Sequence, residues 1–136
     1  MAKKKKILVV DDELDMRIFL STLLETSGYK PYVADQGEEG IKLAREINPD
    51  LIILDVMMPR QGGIQMYREV KTDKALKKVP VIILSAISKK TFYHSQSMLD
   101  TYKGQVVPEP EGYIEKPPDS EEILRCVQDL LGDRRE

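Results

Sequence analysis

The chain has 136 residues, of which 41% are hydrophobic and 32% charged, with a formal net charge of -2. That balance fits one globular domain with one core and excludes the broad positive field of a nucleic-acid binder. No apolar run approaches the roughly 20 residues needed to span a bilayer, and the lone Cys126 permits no internal disulfide and points to a reducing, cytoplasmic setting.

Residues 1–6 form a basic flank. Lys3 to Lys6 resemble the start of a signal peptide, but only Ile7 to Val10 follow before Asp11 and Asp12, too short for a secretory core. A polybasic surface patch is the sharper reading of the four lysines; a solubilising flank is the plainer one. Ile7-Leu8-Val9-Val10 then reads as a buried strand. Leu14, Ile18, Phe19, Leu23 and Leu24 recur at helical spacing, and Gly28 suits the helix end. Tyr29 to Ala34 reads as a weaker strand, placed at an edge by Pro31. Asp35 with Glu38 predicts a capping box for a helix whose apolar face is Ile41, Ala44 and Ile47, and Asn48-Pro49 ends it. Asp50 to Leu54 and Val79 to Leu84 are two more strand runs, the pattern of parallel strands covered on both faces. A helix over Ile64 to Val70 lies between them.

The spacing then loosens. Ile87 to Tyr102 is predicted as a helix of poor periodicity, and Lys103 to Gly112 as a loop with two Gly, two Pro and two Glu. His94, the only histidine, has no motif around it and reads as a polar residue of this region. Gly112 to Glu115 is a short last strand. Asp119 and Glu122 cap a final helix with its stripe on Ile123, Leu124, Val127, Leu130 and Leu131, beside which Cys126 is a boundary thiol. Alternating strands and helices predict an α/β fold, a doubly wound parallel sheet of five strands in the order 2-1-3-4-5.

Ligands of such sheets bind beyond the carboxyl ends of the strands. Strand one ends in Asp11-Asp12-Glu13, strand three in Asp55, strand four in Ser85-Ala86 and strand five in Glu115-Lys116-Pro117. Taken singly these are ordinary residues: an Asp pair or a Ser caps helices, an Asp sits in turns. Together they bring three carboxylates, a hydroxyl and an ammonium to one rim. Crowded carboxylates repel and need a cation, and hard oxygen ligands with open positions suit Mg²⁺. Asp55 could then attack phosphorus as a nucleophile, with Lys116 and Ser85 stabilising phosphoryl oxygens.

The segments Ile7 to Glu13, Leu54-Asp55-Val56-Met57-Met58-Pro59 with Gly62-Gly63, Pro80 to Ala86, and Tyr113 to Pro117 resemble the receiver domain of bacterial two-component response regulators. The resemblance covers residues 7–132, leaving 133–136 as a tail, and implies a flavodoxin-like (βα)5 fold. It implies that Asp55 accepts a phosphoryl group from a sensor histidine kinase or a histidine phosphotransfer protein. Mg²⁺, with Mn²⁺ as a substitute, would be held by Asp12, Asp55 and the backbone carbonyl of Met57, with Asp11 acting through a metal-bound water. Ser85 and Tyr113 would be the switch pair, Lys116 the phosphoryl-binding lysine, and Lys116-Pro117 a cis bond. Phosphorylation would remodel the face of the fourth helix, fifth strand and fifth helix for an unidentified protein target, without nucleic-acid contact or membrane insertion, and hydrolysis of the acyl phosphate would reset it. Beyond that self-catalysed cycle no enzyme activity is expected.

One stretch departs from the family. Ser85 to Lys116 is longer than usual by on the order of two helical turns, and Pro110-Glu111-Gly112 replaces a small Gly-Ala pair. A lengthened or broken fourth helix followed by an ordered Pro-containing loop is expected over 87–111. Among competing functions, a haloacid-dehalogenase-like phosphatase would need an acid at Met57. A degenerate receiver would lack one of the five key residues, and a nucleotide- or flavin-binding sheet would need a glycine-rich loop after strand one.

Overall fold

The computed structural model describes residues 3–56, 63–94, 101–102 and 104–132. Met57 and the tail 133–136 lie outside them. A parallel sheet is built from β1 (Lys6–Val10), β2 (Lys30–Ala34), β3 (Leu51–Leu54), β4 (Val81–Ser85) and, last in the chain, β7 (Gly112–Glu115). Its order is β2-β1-β3-β4-β7, which is the expected 2-1-3-4-5 when only the strands of this sheet are counted. The helices are α1 (Leu14–Thr26), α2 (Gly37–Ile47), α3 (Gly63–Thr72), α4 (Lys89–His94) and α5 (Ser120–Leu131). None of the described helices is long and apolar enough to cross a membrane.

Strand side chains alternate between faces, so the apolar runs divide between two cores. Leu8, Val10, Ile52, Leu54, Val81 and Ile83 meet Ala44, Met66, Tyr67 and Val70 of α2 and α3. Ile7, Val9, Leu51, Ile53, Ile82, Leu84 and Ile114 meet Leu20 and Leu24 of α1 and Ile123 and Val127 of α5. The lysine flank is partly structural. The Lys5 ammonium donates to the Leu131 carbonyl at 2.6 Å and that of Lys6 to the Ile47 carbonyl at 3.0 Å, so each satisfies the carbonyl end of a helix, where a cation is favoured.

Three local expectations are corrected. Leu14, Ile18 and Phe19 do not face the sheet; they are 60%, 54% and 38% exposed, and Leu20 and Leu24 are buried instead. The helix carries two apolar stripes, and Met16-Leu20-Leu24 with Leu23, at i, i+4 and i+8, is the one that packs. Asp35 and Glu38 form no capping box, because Gln36 is the N-cap of α2 and makes no side-chain cap bond; the helix starts too late for Asp35 to reach its free amides. At α5 the cap does form, Asp119 accepting from the Glu122 amide at 3.2 Å.

The third correction concerns 87–111. The described part of α4 has six residues. Beyond it, Thr101–Tyr102 (β5) pairs antiparallel with Gln105–Val106 (β6), where helix and loop were expected. Gly104 takes φ +77, a turn conformation that glycine adopts freely, and β-branched Thr101 and Val106 favour strand. The segment is strapped to α3. The Tyr102 hydroxyl donates to Glu69 at 2.7 Å and the Gln105 side-chain Nε2 to the Thr72 carbonyl at 3.3 Å. The Tyr67 hydroxyl donates to the Pro108 carbonyl, while Phe92 and Val107 enter the core.

The strap closes on an ion pair with a buried lysine and a partly exposed glutamate. The Lys71 ammonium, its side chain 1% exposed, donates to both Glu111 oxygens at 2.7 and 2.9 Å, and Glu111 also accepts from the Val81 amide at 2.8 Å. Removing one partner of such a pair strands the other charge. Glu111→Ala is therefore expected to lower unfolding free energy by about 2 kcal/mol, less than for a fully buried pair because Glu111 is 37% exposed. Lys71→Met in the same background should recover most of it. Urea unfolding checks both, and an unchanged midpoint for Glu111→Ala contradicts the account.

Candidate functional site

Strand register alone assembles the site. Val10 pairs with Leu54, so Asp11 and Asp55 emerge side by side; the Asp55 amide donates to the Val10 carbonyl at 2.9 Å. Ser85 pairs with Glu115, and the Lys116 amide donates to the Ser85 carbonyl at 2.8 Å. Leu54 pairs with Ile83, so β4 and β7 run two residues past β1 and β3 at the same carboxyl edge, and Lys116 reaches back over Asp55. The Lys116-Pro117 bond is cis.

Carboxylate oxygens of Asp11, Asp12 and Asp55 lie within 4.8 Å of one another. Asp11 and Asp55 are buried at 1% and 4% exposure, and Asp12 is exposed. Against them stands the Lys116 ammonium, 3.0 Å from Asp11 Oδ2, 3.1 Å from Asp55 Oδ2 and 2.6 Å from Glu13 Oε1. Burial pushes the Asp11 carboxyl pKa up, against the lowering effect of the Glu13 amide and of Lys116. Burial also works against the Lys116 ammonium. The hydrogen bonds of Glu13 and Asp11 and the charge of Asp55 more than offset this and hold its pKa above the usual lysine value.

The donor set fits a hard divalent cation. It is all oxygen, clustered and partly open to solvent, and the buried Asp11 Oδ2 shares the Lys116 ammonium, 3.0 Å away, with Asp55 and Glu13, so acceptor capacity remains for a cation. Four carboxylates facing one ammonium are undercompensated.

Ser85 is fully buried and its hydroxyl accepts from the Ile87 amide at 3.1 Å. The Tyr113 hydroxyl donates to the Ile87 carbonyl at 2.6 Å, and its ring lies 5.1 Å from that of Phe92, centroid to centroid. Burial raises the Tyr113 pKa, with the Ser85 hydrogen bond opposing. Ser85 and Tyr113 thus bind the two backbone groups of one residue, Ile87.

Three contributors carried no role in the sequence reading. Glu13 stands at the mouth of the pocket on Lys116, and its acidic side chain at a strand end was the available signal. Arg17, one turn into α1, donates to the Asp11 carbonyl at 2.8 Å. Gly63 starts α3 against the Asp55 backbone, where a Cβ would fall 2.0 Å from the Asp55 carbonyl oxygen; only the close approach itself reveals why glycine stands there.

A doubly wound sheet with an acidic cluster and a lysine at its carboxyl edge defines a class of α/β domains whose edge suits a divalent cation and an anion together. Residues 7–128 match the response regulator receiver domain, and the chain belongs to that family, the signalling domain of two-component systems. It is 32% identical over 130 residues to the polar-differentiation response regulator DivK of Brucella ovis, covering 96% of this chain and 98% of that one. Among solved structures, the chemotaxis response regulator CheY4 of Vibrio cholerae is 27% identical with TM-score 0.79, covering 95% of this chain and 100% of that one. The receiver domain of sensor histidine kinase PA1611 from Pseudomonas aeruginosa, solved with a magnesium ion coordinated in its active site cleft, has TM-score 0.80 over 96% of this chain and 99% of that one. At 22% identity it attests the fold.

Proposed function

We propose that this chain is a cytoplasmic switch operated by phosphorylation of Asp55. The observation that carries this reading is a buried Asp55 carboxylate at a strand end, 3.1 Å from the Lys116 ammonium and clustered with Asp11 and Asp12. An oxygen of Asp55 attacks the phosphorus of a phosphohistidine on a sensor histidine kinase or histidine phosphotransfer protein. The P–N bond breaks, the imidazole regains a proton, and an acyl phosphate remains on Asp55. Lys116 stabilises one phosphoryl oxygen as a point charge, and Ser85 donates to another. Asp11, Asp12, Asp55 and the Met57 carbonyl would hold Mg²⁺, or Mn²⁺ in its place; a bound ion would shield the attacking carboxylate from the phosphoryl charge. Drawing Ser85 toward the phosphoryl group removes its bond to the Ile87 amide. The Ile87 backbone and Tyr113 then adjust together, altering the face of α4, β7 and α5 for a protein target. Water attack on the acyl phosphate returns the chain to its starting state.

Phosphorylation with acetyl phosphate tests this reading. In Mg²⁺ the intact mass should rise by one phosphoryl group; chelating the ion or substituting Asp55→Asn should abolish the gain. A gain that persists in Asp55→Asn would refute the assignment.

The donor protein docks on α1. Leu14 directly follows Glu13 at the mouth of the site, and Leu14, Ile18 and Phe19 present an exposed apolar stripe that a protein delivering phosphohistidine to Asp55 would cover. Ile18→Asp should slow transfer from a phosphorylated histidine phosphotransfer protein by about tenfold or more, the scale of losing an interface anchor. Phosphorylation by acetyl phosphate should stay unchanged. Equal slowing with both donors would place the defect in the site rather than the docking face.

A further inference from the structure

Resting on the cation reading above, we propose that Glu13 is a positioning residue that raises divalent-cation affinity by drawing the Lys116 ammonium away from Asp11 and Asp55. The ammonium touches three carboxylates: Glu13 Oε1 at 2.6 Å, Asp11 Oδ2 at 3.0 Å and Asp55 Oδ2 at 3.1 Å. Two of those carboxylates belong to the cluster that could hold a metal; Glu13 does not. Lysine and a divalent ion therefore compete for the same oxygens, and two positive charges in one pocket repel. A metal gains full access to Asp11 and Asp55 only as Lys116 withdraws.

Glu13 supplies the place to withdraw to. Its contact is already the shortest of the three, so the ammonium needs only to release the other two. The Glu13 side chain is 60% exposed, at the solvent side of the pocket, where it holds the lysine without occupying an oxygen of the cluster. Its backbone is fixed at the start of α1: the Glu13 amide donates to Asp11 Oδ1 at 2.9 Å, and its carbonyl accepts from the Arg17 amide at 3.1 Å. The seat is therefore held by the same turn that positions Asp11.

A rival explanation has Glu13 merely adding negative charge near the metal. The two differ in whether the effect needs Lys116, which a double-mutant cycle resolves. Mn²⁺ binding to the full chain, read from the spin-resonance signal of the free ion, should weaken roughly three- to fivefold in Glu13→Gln, the scale of an exposed ion pair. In a Lys116→Met background the same substitution should change affinity by no more than about 1.5-fold, since an isolated exposed charge is screened. Circular dichroism checks that each variant is folded, and Lys116→Gln serves as the background if Lys116→Met is not. Equal weakening in both backgrounds, or none with Lys116 present, overturns the proposal. Failure of the unsubstituted chain to bind Mn²⁺ overturns the cation reading, and this one with it.

Discussion

Mutual repulsion among carboxylates that the sheet forces together is the constraint around which this structure is arranged. Parallel register ends β1 and β3 on Asp11 and Asp55 and leaves no freedom to separate them, because the backbone bonds that align the strands also align their last side chains. Asp12 and Glu13 add charge from the same turn. One ammonium, brought from the far end of the chain by β7, offsets part of that charge. Such a pocket costs stability, and perturbed charge of this kind clusters at functional sites. It makes the site receptive to a divalent cation and, in the proposed cycle, to a phosphoryl group that needs one.

The rest of the molecule fixes the geometry of this edge or connects it to a surface. Gly63 lets α3 begin against the Asp55 backbone. The same helix, further on, holds the strap of residues 101–111 through Glu69, Tyr67, Lys71 and Thr72. The strap runs directly into β7, which carries Tyr113 and leads to Lys116. This segment is thus tied at one end to the helix packed on Asp55 and at the other to the strand of the lysine and the tyrosine. The hairpin itself rests on α3, through Tyr102 on Glu69 and Gln105 on Thr72.

Continuous apolar runs made the sheet legible before any coordinates, since a strand buried on both faces has few other ways to be written. The site followed from one geometric rule, that ligands meet the carboxyl ends of parallel strands, applied to the residues just after Val10, Leu54, Leu84 and Glu115. What escaped the sequence depends on three-dimensional competition. Helix α1 carries two usable apolar stripes, and only packing against β1, β3 and α5 decides that Leu20 and Leu24 go inward and Leu14, Ile18 and Phe19 outward. The hairpin at 101–106 has strands of two residues, below the length at which alternation carries a signal. The Lys71–Glu111 pair joins residues forty apart in sequence, and neither announces a partner. Glu13 looked like one more acid at a strand end until Lys116 was found on it.

The balance of charge at the carboxyl edge is most directly tested by urea unfolding of Asp12→Asn with and without Mg²⁺. Asp12 is the exposed member of the cluster, so its neutralisation removes repulsion without emptying the core. Without metal the variant should unfold at the same urea concentration as the natural sequence or a higher one, and the rise in midpoint that Mg²⁺ gives the natural sequence by binding the folded state should be lost. A variant that is less stable without metal yet keeps the full Mg²⁺ response would contradict the account.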